Sequence, residues 1–226
     1  MKHYDALSNQ TAHRILPIAG AAALALALTV SLPQPAYAGE VTPPDVPFNL
    51  RVPAGNKAFL VGHAFGTQNY FCKPSASPPG VAYALFTPEA TLFGEDGGQV
   101  ITHYFSPNPD PRDPNTSATV VADGAIRATW QYKDTSTIWA KVRTNPDGST
   151  GLAIVDPKSV AWLLLEVVGA EDGPTGGDKL TKTTFVQRVN TVGGNPPLTG
   201  CASPADLGNQ AFVDYTADYF FFAPGQ

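Results

Sequence analysis

The chain has 226 residues, 43% of them hydrophobic, 10% aromatic and only 15% charged, with a net charge of −5. Gly 21 and Pro 22 together make nearly a fifth of it, against a usual ~12%, which excludes a coiled coil or a long helical bundle. Enough aromatic and β-branched residues are present to bury a core, which excludes wholesale disorder. The acidic balance argues against a nucleic-acid partner, whose phosphates need a basic surface.

Residues 1–38 have the layout of a cleaved secretory signal. Lys2 and Arg14 supply positive charge, residues 15–32 are apolar and rich in Ala and Leu, and Pro33 and Pro35 break the run. Ala36-Tyr37-Ala38 then offers the small-x-small pattern that a signal peptidase cuts. The apolar run is near the ~18-residue minimum for a membrane span, but its ending favours cleavage over anchoring. The expectation is an exported protein (secreted, periplasmic or on the cell surface) with no membrane span after cleavage. Cleavage would take His3 and His13 with it, leaving His63 and His103.

Residues 39–50, with Pro43, Pro44 and Pro47, read as an extended arm, and residues 51–226 as one domain. Within the domain, short apolar or alternating runs are separated by turn signals, the spacing of a sandwich or barrel. Residues 59–65, 81–86 and 162–168 are apolar on both faces and read as central strands. Glu95-Asp96-Gly97-Gly98 reads as a hairpin turn between 90–93 and 99–105. Residues 106–115 carry four prolines and read as a loop, and Asn115-Thr116-Ser117 is a glycosylation sequon if the host uses it.

The clearest hairpin follows. Ile126, Ala128, Trp130 and Tyr132 share one face, and Arg127, Thr129, Gln131 and Lys133 the other. After Asp134, Ser136, Ile138, Ala140 and Val142 continue the apolar face, while Thr135, Thr137, Trp139, Lys141 and Arg143 lie on the expected wet face. Residues 204–209 hold one helical turn at most, and Val213, Tyr215, Ala217, Tyr219 and Phe221 line one face of a last strand. Cys72 and Cys201 are the only cysteines, and an even count in an exported chain points to a disulfide.

Several stretches carry a resemblance. They are Val52-Pro53-Ala54-Gly55-Asn56-Lys57, Val61-Gly62-His63-Ala64 with Gly66-Thr67-Gln68-Asn69-Tyr70, and Leu85-Phe86-Thr87-Pro88. Further on come Ala128-Thr129-Trp130-Gln131, Asp134-Thr135-Ser136-Thr137, Gly173-Pro174-Thr175-Gly176-Gly177-Asp178-Lys179-Leu180 and Gly200-Cys201-Ala202. With them the chain resembles the DUF3455 family, exported proteins of bacteria and fungi without an established function, so the resemblance implies no catalytic residues. Some fungal relatives carry a malate dehydrogenase label. That chemistry needs a G-x-G-x-x-G turn in a βαβ unit, which this chain lacks, and the label is rejected.

Candidate chemistry is sparse. His63 shares a strand face with Phe59, Val61 and Phe65, where a hydrogen-bonded core or rim histidine is the ordinary occupant. The adjacent Thr67, Gln68 and Asn69 are dense in donors and acceptors, so with His63 they are candidate ligand contacts. His103 is a second candidate. With a carboxylate the two histidines would make a metal or hydrolytic site, although no H-x-H or H-x-x-x-H spacing supports one, so no cofactor is expected. Asp178 and Lys179 lie in a Gly-rich segment that lacks the phosphate-loop order, and a structured turn is its ordinary role. Trp139, on the wet face, is placed to stack a sugar ring. Glu166 sits in an apolar run, as a buried acid or as the partner of a neighbouring Lys or Arg.

These readings converge on a single antiparallel all-β domain, a sandwich or barrel of about eight to ten strands. The leading function is non-catalytic binding of a small or polymeric polar ligand, envelope carbohydrate among them. A hydrolase or metal-dependent enzyme built on His63 and His103 is the first alternative, and a structural or surface-interaction protein the second.

Overall fold

In a computed structural model, residues 41–77, 79–106 and 125–225 are described. The leader at 1–38, most of the proline-rich loop and the Asn115 sequon lie outside the described residues. Nine strands follow one another: β1 (Asn56–Ala76), β2 (Pro79–Phe93), β3 (Gln99–Ser106), β4 (Arg127–Tyr132), β5 (Thr137–Val142), β6 (Leu152–Ala153), β7 (Trp162–Glu171), β8 (Phe185–Gly193) and β9 (Gln210–Pro224).

All pairings are antiparallel, in the order β5-β4-β3-β2-β1-β9-β8-β7-β6, and β5 also pairs with β7. Eight strands therefore close into a ring, while β6 takes the part of the β7 edge beside Trp162 and Leu163. The expected antiparallel all-β class is what the chain adopts, as one sheet curled on itself rather than two sheets stacked.

Period-two alternation decides what faces the interior. In register, Ala64 of β1 opposes Leu92 of β2, Leu92 opposes Ile101 of β3, and His103 opposes Trp130 of β4. Leu92, Ile101, Trp130, Ile138, Val186 and Phe221 are all but fully buried and pack into one cluster, each contributing on the order of 1.5–3 kcal/mol by leaving water. The two walls β1 and β2 run unusually close at Gly66. A Cβ there would overlap the carbonyl oxygen of Glu89 and stand 2.6 Å from Ala90 Cα, so only glycine fits.

A second apolar cluster lies on the outer face, where Val61, Val189, Phe220 and Phe222 are covered by Val41, Val46 and Val52. The N-terminal arm is thus packed against the ring. Asn49 Nδ2 donates to the carbonyls of Thr150 and Leu152, each at 2.8 Å, and Gln187 Nε2 donates to Leu50 at 2.8 Å. Cys72 and Cys201 form the disulfide, with Cα atoms 5.5 Å apart. It ties β1 to a segment holding the expected single turn, Pro204–Asp206, which Ser203 and Asp206 close with a capping box.

Two features differ from the sequence expectations. β1 and β2 are far longer than the runs 59–65 and 81–86, and β2 continues through Thr87 and Pro88. Pro88 has no N–H to give, and the β2–β3 ladder stops at Ala90 opposite His103; beyond it the Phe105 N–H donates to Thr87 Oγ1 instead. β8 forms within the strand-like run that follows the Gly-rich segment, although Gln187, Arg188, Asn190 and Thr191 interrupt its apolar pattern. The outer face of β4 and β5 is also wet only in part, at Lys141. Thr129 is fully buried, and Trp139, paired between Thr129 and Gly169 by closure of the ring, is 7% exposed.

Candidate functional site

The ring is not filled along its whole length. Beside the apolar cluster lies a cavity of about 300 Å³, walled by residues from all eight strands of the ring. Its apolar surface comes from Leu85, Pro88, Phe105, Val142, Leu163 and Leu165, with Ile126 among the lining residues too. Leu85 and Ile126 are 43% and 46% exposed, so the cavity reaches solvent beside them. Into this wall the fold places Gln68 from β1, His103 from β3, Trp130 from β4, Arg188 from β8 and Tyr219 from β9.

His103 is held by two contacts. Its Nδ1–H donates to the Thr129 carbonyl at 2.8 Å, and its ring stacks on Trp130 with centroids 4.3 Å apart and planes 6° from parallel. Burial is the main reason its pKa falls to about 3, the Thr129 bond opposing and the Arg188 charge adding to the drop. The imidazole is therefore neutral at pH 7, and with Nδ1 protonated its Nε2 is an acceptor. The hydroxyls of Tyr215 and Tyr219 lie 3.2 Å apart in the same interior. Burial pushes the Tyr215 phenol well up from its ordinary pKa, the neighbouring Tyr219 pushes the same way, and Arg188 and Gln68 oppose. Tyr70, also raised by burial against the pull of Arg188, donates its O–H to Gly194 at 2.6 Å. Neither phenol ionises near neutral pH.

Arg188 is the centre of this arrangement. It is 9% exposed, and Nε and Nη2 both donate to the Ala161 carbonyl, at 3.1 and 2.8 Å. Among the described residues no carboxylate pairs with it. Gln68, 1% exposed, leaves its Nε2 without a hydrogen bond of good geometry, and the buried Trp130 Nε1 has no acceptor either. The cavity wall thus presents a buried cation and two unsatisfied N–H donors, each costly to leave unpaired.

The remaining candidates are elsewhere. His63 faces outward, opposite Phe93 on β2 and Asp218 on β9. Its Nδ1 lies 2.7 Å from Asp218 Oδ1 and its Nε2 3.5 Å from Glu95 Oε1, while Asn190 Nδ2 donates to Asp218 Oδ2 at 2.8 Å. The Asp218 hydrogen bond is the largest reason its pKa is raised; partial burial opposes, and the charges of Asp218 and Glu95 add to the rise. His63 and His103 therefore lie on opposite faces of the sheet and share no cavity, so the two-histidine site does not assemble. Among the described residues no group of three or more His, Cys, Asp or Glu side chains is placed to hold a metal ion. Thr67 and Asn69 alternate with Gln68 and lie on the outer face of β1.

Asp178 and Lys179 belong to a turn organised by Asp134. Its carboxylate accepts from the Ser136 N–H and hydroxyl at 2.9 and 2.6 Å and from the Lys179 N–H at 3.0 Å. Burial works to raise the Asp134 carboxyl, and these bonds outweigh it and hold the group below its ordinary value. Gly177 packs so closely that a Cβ would stand 2.7 Å from that of Asp134. The Gly-rich segment therefore clasps the chain's own carboxylate. Trp139, expected to stack a sugar, is buried and offers no open ring face. Glu166 pairs with Lys141 at 3.2 Å.

A protein family described as "Protein of unknown function (DUF3455)" matches residues 53–223. The chain belongs to the DUF3455 family. No curated protein and no solved structure matches the chain. The DUF3455 region holds every cavity residue named above. Of the residues picked out from the sequence, Gln68 and His103 reach the cavity of this DUF3455 chain. Arg188, Tyr215, Tyr219 and Trp130 were not picked out as contacts. Val186 and Arg188 alternate within β8, so an arginine on an otherwise apolar face was the available signal for an inward charge.

Proposed function

We propose that this DUF3455 protein is an exported, non-catalytic binding protein that holds one small molecule inside the ring. The observation that supports this most directly is the buried guanidinium of Arg188, without a carboxylate partner among the described residues, in the lining of a cavity that opens to solvent, next to Gln68 and Trp130, whose buried Nε2 and Nε1 lack hydrogen bonds of good geometry. Protein interiors satisfy such groups or exclude them; a ligand that satisfies them accounts for their placement. At about 300 Å³ the cavity stands at the small end of ligand pockets. An apolar wall with few polar groups suits an amphipathic molecule, and a carbohydrate enters this reading only as a small fragment. Export is supported by the Cys72–Cys201 disulfide, by the signal-like leader, and by the lack, among the described residues, of a helix long and apolar enough to cross a membrane.

The test is a thermal-shift screen of the oxidised protein against small organic acids, amides, alcohols and mono- and disaccharides, repeated on Ala128→Trp. Ala128 lines the cavity, and a large side chain there occupies it. A ligand at 100 times its Kd adds about 2.7 kcal/mol to stability, several degrees in Tm for a domain of this size. Such a shift, absent in folded Ala128→Trp, is the expected outcome. Ligands that stabilise both proteins equally would place binding outside the ring and refute the proposal.

A further inference from the structure

The ring cavity holds a charge that the protein itself does not balance. Arg188 is buried against apolar neighbours, and among the described residues no Asp or Glu pairs with it. The groups around it do not supply a counter-charge: His103 is neutral, and Tyr70 and Tyr215 hold their protons. A buried cation without a partner is costly, and its pairing in a low-dielectric site is correspondingly strong. The guanidinium has five N–H groups. The Ala161 carbonyl takes one from Nε and one from Nη2, which leaves both N–H groups of Nη1 and the second of Nη2. Those are the donors of the terminal fork, the edge that grips the two oxygens of a carboxylate in parallel. Trp130 Nε1 adds a donor without an acceptor, and Gln68 Nε2 a donor whose neighbour is the Tyr215 hydroxyl, without a hydrogen bond of good geometry. The acceptors nearby include His103 Nε2, Gln68 Oε1 and the Tyr215 hydroxyl, all of them neutral, so the wall is biased toward a ligand head that brings negative charge.

We infer that the ligand is a small apolar carboxylate, a monoanion, with its carboxylate held on the terminal fork of Arg188 and by Gln68, and its body against Leu85, Phe105 and Leu165. Arg188 is the buried cation of a chamber whose lining also includes Arg127 and Lys141, the latter paired with Glu166, and one carboxylate matches its one charge. The apolar wall disfavours a hydroxylated acid. This inference rests on the ring cavity being a ligand site, and it goes beyond that reading in naming the head group and the residue that selects it.

The experiment pairs acids with amides of the same skeleton: benzoate against benzamide, and hexanoate against hexanamide. Each is titrated into the oxidised full-length protein at pH 7, followed by the fluorescence of Trp130 against the constant background of Trp139 and Trp162, and by Tm. The acids are expected to bind at least tenfold more tightly than the amides. Arg188→Met should remove that preference, and Gln68→Leu should weaken the acids several-fold while leaving the amides within twofold. Because the acid–amide comparison is made on the wild-type protein, it stands even if Arg188→Met fails to fold. Acids and amides that bind equally and are both blocked by Ala128→Trp would overturn the carboxylate inference alone. No binding by any of the four would overturn it together with the reading that the cavity takes amphipathic ligands.

Discussion

His103 makes the stability of the ring depend on pH in a way that can be calculated. Its imidazole is enclosed by Trp130, Tyr219 and Thr129, and the one charged group that influences it is the cationic Arg188. The fold holds the ring neutral down to about pH 3, whereas in the unfolded chain a histidine takes its proton near 6.5. Between those values the unfolded state binds one proton that the folded state refuses. Stability therefore falls on acidification by about 1.4 kcal/mol per pH unit, approaching roughly 5 kcal/mol at the low end, a large part of a domain's usual ~5–15 kcal/mol. His63 has the opposite sign: its raised pKa gives stability that is fully present below 6.5 and is lost as pH rises through the folded value. Asp134, held low, loses its contribution only below its ordinary 3.8. From about pH 6 to pH 5, above the range in which Asp134, Asp147, Asp156 and Asp206, all held low, begin to contribute, the slope thus belongs to His103. Urea unfolding across that range, on wild type and His103→Gln, is the assay. Glutamine sacrifices the stack on Trp130 and so shifts the intercept, but only loss of the titrating group changes the slope. Parallel lines for the two proteins would refute the buried, neutral histidine.

The other predictions concern the fold and the outer face. Opening the disulfide, by reduction or by the Cys72→Ser/Cys201→Ser pair, frees a loop with a sequence separation of 129. The chain-entropy model puts the loss near 5 kcal/mol, and a loss under about 1 kcal/mol in denaturant titration would contradict it. Gly66→Ala should destabilise by about 3 kcal/mol, the upper range for overpacking, because the added methyl meets β2 backbone; an unchanged denaturation midpoint would show that the two strands can separate there. Asp218→Asn should return the His63 titration, followed by NMR, toward 6.5, and a midpoint that stays raised would assign the shift to Glu95 instead.

The sequence was most legible where side chains alternate without interruption. Ala128 and Trp130, then Ile138, Ala140 and Val142, face inward as their period predicts, and the Cys72–Cys201 pairing followed from an even count. Legibility failed where tertiary pairing overrode the local pattern. Pro88 reads as the end of a strand, yet β2 passes through it, because the neighbouring β3 has already ceased to need its N–H. Trp139 reads as wet from its hydroxyl-bearing and cationic neighbours, and only closure of β5 onto β7 reveals it as buried. Arg188 shows the same limit in reverse. Its charge suggests solvent, and apart from its sharing a face with Val186 nothing local announces that β8 turns it into a chamber shared with residues from distant strands. Gln68 and His103 were found because polar groups on apolar strands are visible in one dimension, whereas their convergence on Arg188 is not.

Closure of the ring also has a temporal consequence. β1 is flanked by β2, made soon after it, and by β9, the last strand in the chain, so that Asn56 pairs with Pro224. Among the described residues β9 is also the only strand linking β1 and β8. Until residues 210–224 are synthesised, β1 and β8 each expose an unpaired edge, and no part made earlier can seal the chamber. Such long-range closure is slow to form. The nascent chain therefore stays open through most of its synthesis, and is exposed to strand-on-strand aggregation if release of the fifteen residues of β9 is delayed.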